Sequence, residues 1–191
     1  MNSRVQTAMR VVAHAHYCLD DQGNPIPQTS SIEMISRMLQ QLSVQPGDSV
    51  LEVGTGSGYS TALLAELTGP NGSIVSIDVD PEMTRRATVL LNDAGYRQVI
   101  LITGDGREGA LAHAPFDRLV AWAAASEMAQ AWCDQTRPGG LLVVPMRINN
   151  TPWVSTYLRT ARGDLVEQER LSGSFIPLTA QPFRPWETAQ P

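Results

Sequence analysis

A chain of 191 residues, 42% hydrophobic and 17% charged, suits one globular domain with its own core. A formal net charge of −5 argues against a general nucleic-acid-binding face, and all 14 basic residues are Arg, which reflects genome composition rather than function. No apolar run approaches the roughly 18 residues of a membrane span, the start lacks a secretion signal, and Cys18 and Cys133 lack C-x-x-C spacing. A soluble cytoplasmic protein with free thiols and no membrane partner is expected.

Residues 1–27 form a variable N-terminal segment in which Met9 to Tyr17 suits a short helix or a strand, and Asp20 to Pro25 is a turn-rich connector. His14 and His16 alternate with alanines, but the sequence places no third ligand beside them, so no metal is expected. Ile32, Ile35, Leu39 and Leu42 share one helical face, and Ser30 with Glu33 reads as a capping box at its start. Pro46-Gly47-Asp48 then leads into the first central strand, ending near Ser49-Val50-Leu51.

Glu52-Val53-Gly54-Thr55-Gly56-Ser57-Gly58 follows, and Ser60 to Leu67 reads as a helix. A glycine-rich turn between strand and helix lets a ligand approach bare backbone and offers helix-opening amides as donors. The dinucleotide fingerprint G-x-G-x-x-G is met at Gly54 and Gly56 but not at Tyr59. An acid two residues before the first glycine suits a ligand that carries positive charge. Acidic-x-Gly-x-Gly-x-Gly resembles the cofactor loop of S-adenosylmethionine (SAM) methyltransferases.

Ser73 to Ile77 is the second strand, ending at Asp78, twenty residues after Gly58. That offset is the one at which a carboxylate meets ribose hydroxyls. Asp80-Pro81 starts a helix that stops near Gly95. Val99 to Thr103 is the third strand, and Asp105 after it falls beside the adenine edge in a doubly wound order. Phe116 to Trp122 reads as a fourth strand, Ala123 to Arg137 as a helix, Gly139-Gly140 as a turn and Leu141 to Met146 as a fifth strand. Trp153 to Leu158 and Leu165 to Leu171 alternate around Arg162-Gly163-Asp164, an antiparallel hairpin at the sheet edge. Residues 180–191 read as a frayed tail. The sum is an α/β fold: one doubly wound, mostly parallel sheet in a single domain, closed by a C-terminal hairpin.

Gln28-Thr29-Ser30-Ser31, the glycine loop, Gly104-Asp105-Gly106, Pro115-Phe116-Asp117-Arg118 running to Ala123-Ala124-Ala125, Arg137-Pro138-Gly139-Gly140, and Phe175-Ile176-Pro177-Leu178-Thr179 together resemble the protein-L-isoaspartate (D-aspartate) O-methyltransferase family. The match spans about Gln28 to Thr179. It implies a Rossmann-like methyltransferase fold, SAM as cofactor with S-adenosyl-L-homocysteine as product, and a protein or peptide substrate. It further implies cofactor contacts at Glu52, Gly54, Thr55, Gly56, Ser57, Gly58, Asp78, Asp105, Gly106 and Thr179. Thr29, Ser30 and Ser31 fall where the substrate is held, with Ser31 at the active-site serine.

The chain departs from that pattern where Ser30 and Glu33 replace the Ile and Pro of Thr-Ile-Ser-x-Pro, and where Ser126-Glu127-Met128-Ala129 lacks a proline. Those positions and the Asp-Asp-Gln-Gly-Asn-Pro lead-in resemble the branch that tailors an aspartate in ribosomal precursor peptides by way of an aspartimide. Isoaspartyl or aspartyl carboxyl methylation is the activity expected, with tailoring of a precursor peptide, a small-molecule methyltransferase and a non-catalytic SAM-binding protein as the alternatives, and no residue signals an oligomeric state. An aspartyl carboxylate, with a reference pKa near 3.9, is already ionised at neutral pH, so methyl transfer to it needs no general base.

Overall fold

The computed structural model describes residues 3–27 and 29–182. Gln28 and most of the expected frayed tail lie outside the described residues. Helices α1 (Ser3–Val11), α2 (His14–Cys18) and α3 (Ile32–Leu42) precede β1 (Ser49–Val53). There follow α4 (Tyr59–Thr68), β2 (Ser73–Asp78), α5 (Pro81–Asp93), β3 (Val99–Thr103), β4 (Phe116–Ala121), α6 (Gln130–Gln135), β5 (Thr136–Ile148), β6 (Thr151–Arg159) and β7 (Leu165–Ser172).

Among the described residues the strands form one sheet in the order β3-β2-β1-β4-β5-β6-β7. Pairing is parallel from β3 through β5 and antiparallel from β5 to β7. The order reverses between β1 and β4, which opens a crevice beyond the carboxyl ends of those strands. Side-chain alternation along β1 feeds both faces: Val50 joins the cluster built by α1 to α5, while Leu51 and Val53 join the one around Phe116, Leu119 and Trp132. That double coverage explains why the central strands are apolar almost without interruption.

Several boundaries differ from expectation. The ambiguous N-terminal stretch folds as α1 and α2. The cap of α3 is Ser31, whose hydroxyl accepts from the Met34 amide at 3.2 Å, and not Ser30; caps read from sequence slip by a residue or so. The long helix expected over Ala123 to Arg137 shrinks to α6. Its first residues are instead extended, with Ala124 N–H donating to the Ile176 carbonyl at 2.7 Å, Leu178 N–H donating to the Ala124 carbonyl at 2.8 Å, and Ala125 N–H donating to the Pro145 carbonyl at 2.9 Å. Pairing with segments 20 and 52 residues downstream, at Pro145 and Ile176, overrides the helix propensity of alanine. Gly139-Gly140 lies within β5, which starts at Thr136. Asn149 and Asn150, at φ 50° and 64°, make the tight turn from β5 to β6, since asparagine tolerates the left-handed region. No described helix is long and apolar enough to cross a membrane.

Candidate functional site at the sheet's switch point

The glycine turn leaves β1 with Gly54, Gly56 and Gly58 at φ 95°, 50° and 85°, values that a Cβ would strain. Gly54 stays tied to β2 by donating to the Ile77 carbonyl at 2.7 Å. The Gly56 amide donates to Asp78 Oδ2 at 2.7 Å, and the Asp80 amide donates to Asp78 Oδ1 at 2.9 Å. Burial is the main influence pushing the Asp78 carboxyl above its ordinary range, with neighbouring Asp80 adding to it and these amides opposing it.

A cavity of ≈ 310 Å³ opens over this turn. Gly54 and Gly56 floor it; Ile77, Asp78, Val79, Asp80, Glu82 and Met83 line it from the β2–α5 end; Gly106, Trp122 and Ala123 line it from the segments that follow β3 and β4; and Ile176 to Thr179 roof it. The roof stays in place through the backbone pairing with Ala124. A Cβ on Gly56 would meet no protein atom within 4 Å, so the turn leaves free space beside its amides.

Of the residues singled out in the sequence, Gly54, Gly56, Asp78, Gly106 and Thr179 meet at this cavity. The others do not line it. Glu52 is fully buried behind the turn, accepting from Ser60, Thr61, Ser76 and Trp122 at 2.6, 2.5, 2.7 and 2.8 Å. It faces α4 because alternation along β1 puts it on the Val50 side. Thr55 is buried with its hydroxyl 2.6 Å from that of Ser76. The Ser57 hydroxyl lies 3.6 Å from Cys18 Sγ, and Gly58 packs against Ala87 and Tyr17. Asp105 is gripped by Arg107, whose Nε lies 3.0 Å from each carboxylate oxygen; that guanidinium holds its carboxyl below the usual range. The Thr29 hydroxyl donates to the Ile26 carbonyl at 2.9 Å, and Ser31 is an exposed helix cap. Of the same N-terminal stretch, Pro27 reaches the cavity.

Sequence reasoning overlooked Ile77, Val79, Met83, Trp122 and Ala123 as site residues. Val79 and Met83 were signalled: Val79 directly follows Asp78, and Met83 sits on the first turn of α5, the side that faces the crevice. It also overlooked Arg86, whose guanidinium donates to the carbonyls of Tyr17, Leu19 and Ser57 at 2.8, 3.0 and 3.2 Å, fastening α2 to the back of the glycine turn.

Strand order, reversal point and glycine turn define the class: a Rossmann-like α/β protein with the SAM-dependent methyltransferase fold. Residues 3–182 match the family described as protein-L-isoaspartate(D-aspartate) O-methyltransferase, and the chain belongs to that family. A protein-L-isoaspartate O-methyltransferase of Aeropyrum pernix is 36% identical over 166 residues, covering 85% of this chain and 64% of that protein. One from Gloeobacter violaceus is 35% identical over 165 residues, covering 85% and 79%. Among solved structures, a protein-L-isoaspartate O-methyltransferase superposes with a TM-score of 0.83 at 20% identity, covering 92% of this chain and 61% of the other. A Plasmodium falciparum protein of the same description, solved in complex with S-adenosyl-L-homocysteine, gives 0.80 at 18% identity, covering 94% and 92%.

Proposed function

We propose that this chain is a SAM-dependent carboxyl O-methyltransferase acting on isoaspartyl and aspartyl carboxylates in proteins or peptides. The observation that carries the proposal is the switch-point cavity of a member of this family, floored by bare glycine backbone and lined by Asp78, Asp80 and Glu82, of which Asp78 stands at the end of β2 and is tied to the glycine turn through the Gly56 amide. The cavity suits SAM chemically. Asp78 is the acceptor for two vicinal ribose hydroxyls, Ile77, Val79 and Met83 supply apolar contact for a purine, and Gly54 and Gly56 leave room for the amino-acid end. Because Arg107 occupies the Asp105 carboxylate, the purine edge falls to the backbone around Gly106. Thr179 closes the cavity from the roof. Glu52, Thr55, Ser57 and Gly58 serve from behind by fixing the turn.

Bound SAM supplies an electrophilic methyl on a good leaving group; the protein's task is to bring an ionised carboxylate oxygen in line with it. Positioning of this kind is worth up to about 7–11 kcal/mol in favourable cases. Among the described residues no histidine lines the cavity, which suits a nucleophile that is ionised without help. The ester formed then loses methanol as the following backbone nitrogen attacks, giving a succinimide. Two free cysteines, Cys18 and Cys133, suit a reducing compartment such as the cytoplasm.

Incubation with methyl-labelled SAM and an isoaspartyl peptide is expected to give base-labile methyl ester, in excess of that from the matched aspartyl peptide. Equal or absent labelling of the two excludes the repair-type activity. Tailoring of a dedicated precursor peptide would require the same chemistry, but no relative named above is described in those terms, and nothing in the cavity singles out such a substrate.

We assign Thr29, Ser30 and Ser31 to the acceptor side, next to Pro27, with the Ser31 hydroxyl orienting the substrate carboxylate. Ser31→Ala is expected to lower turnover while SAH affinity, read by calorimetry, stays within about two-fold. The lost helix cap also costs about 1 kcal/mol of stability, read by urea unfolding. Unchanged turnover would leave Ser31 with the capping role alone.

A further inference from the structure

Glu52 uses both carboxylate oxygens twice. Oε1 accepts from Ser60 Oγ and Trp122 Nε1, and Oε2 accepts from Thr61 Oγ1 and Ser76 Oγ. The side chain is fully buried, and none of these four partners carries a charge. Buried carboxylates are ordinarily paired with a cation. Hydrogen bonds stabilise this one, but its negative field remains directed at whatever lies close by. One of these partners also lines the cavity: Trp122, which donates to Glu52 and lies beside Gly54, where a Cβ would be 3.4 Å from the Trp122 Cβ. An indole whose N–H is bonded to an anion is richer in electrons, and aromatic rings attract cations through their faces.

Building on the SAM reading above, we propose that Glu52 and Trp122 form a charge-reading wall that raises the site's affinity for the sulfonium of SAM relative to the neutral thioether of S-adenosylhomocysteine. Trp122 touches the ligand, and Glu52 is a positioning residue that acts through it. In the transfer, the carboxylate oxygen forms a bond to the methyl carbon, the carbon–sulfur bond breaks, and its electron pair stays on sulfur. The positive charge disappears from sulfur in that step. The wall therefore loses its hold as soon as the product forms, which favours exchange of product for fresh donor. Burial holds the Glu52 carboxyl above its ordinary range, and the four hydrogen bonds oppose that shift only in part; a cationic ligand across the indole favours the ionised form.

Glu52→Gln is a nearly isosteric test, because Thr61 and Ser76 are hydroxyls that can turn to accept from the new amide while Ser60 and Trp122 keep an oxygen acceptor. SAM, with no methyl acceptor present, and S-adenosylhomocysteine are titrated calorimetrically into wild type, Glu52→Gln, Trp122→Phe and Trp122→Leu. The ratio of the homocysteine form's Kd to that of SAM is expected to fall about three- to ten-fold in Glu52→Gln and Trp122→Leu, and less in Trp122→Phe, which keeps a π face. Affinities for both ligands that drop in parallel, with the ratio unchanged, would show a purely structural role and overturn the proposal. If Glu52→Gln does not fold, the two Trp122 variants decide by the same ratio. Wild-type protein that binds neither ligand would instead remove the SAM reading itself.

Discussion

Asp78→Ala is expected to weaken S-adenosylhomocysteine binding by at least about 100-fold, measured by calorimetry on folded protein. Two hydroxyl donors to an ionised acceptor contribute about 1.5 kcal/mol each at the low end, and 3 kcal/mol is just over two decades in Kd. The Gly56 amide loses its acceptor in the same substitution, which loosens the turn and adds to the loss. Asp78→Asn keeps the shape and removes the charge, so it should lie between the two. Burial raises this carboxyl, and the sugar hydroxyls favour the ionised form. Affinity in the wild type should therefore decline as pH falls through the raised value, starting above the reference of about 3.9. The Asn variant should show no such decline. Stability runs the other way: an acid whose pKa rises on folding is ionised at a cost to the fold above its unfolded value. Asp78→Asn should accordingly keep its thermal midpoint at neutral pH within about 5 °C of wild type. A loss of affinity below five-fold in Asp78→Ala would take the sugar contact away from this residue.

The second large effect concerns the scaffold. Trp132 is fully buried against the second core cluster, and its indole N–H donates to the Gly106 carbonyl at 2.8 Å. Gly106 has no space for a side chain, since a Cβ there would fall 2.4 Å from Val53 Cγ1. One tryptophan thus fixes the point at which the cavity wall meets β1. Trp132→Ala is expected to cost about 3–5 kcal/mol in urea unfolding, a substantial share of the 5–15 kcal/mol typical of a domain. Trp132→Phe keeps most of the ring and forfeits the hydrogen bond, at a smaller cost of about 1–2 kcal/mol. A loss below 1 kcal/mol in the alanine variant would show that the cavity left by the indole collapses without penalty.

The parts of this fold that were legible from residues alone are those governed by local pattern. β1, β2, β3, α3 and α5 carry their own periodicity and stop signals, and the strand-end placement of Asp78 followed from its spacing to the glycines. What escaped depended on residues distant in the chain. Ala123 to Ala129 has the composition of a helix, and the docking of Ile176 to Leu178 on Ala124, with β5 pairing at Ala125, makes its start extended. Glu52 was recognisable as an acid at the correct position, but the donors that take up its carboxylate lie 8, 9, 24 and 70 residues away. Asp105 was correctly placed at a strand end, yet its neighbour Arg107 takes the carboxylate that the adenine edge was expected to meet. Spacing locates a side chain on an element; it does not say which competitor reaches that side chain first.

The cavity's roof is made by residues 176–179 and its floor by Val53, Gly54 and Gly56. During synthesis the central strands emerge from the ribosome well before the segment that covers the crevice. Once β4 is complete at Ala121, the crevice stays uncovered for the 55 residues of elongation to Ile176, and it can retain a small ligand only once that late segment has docked beside Ala124.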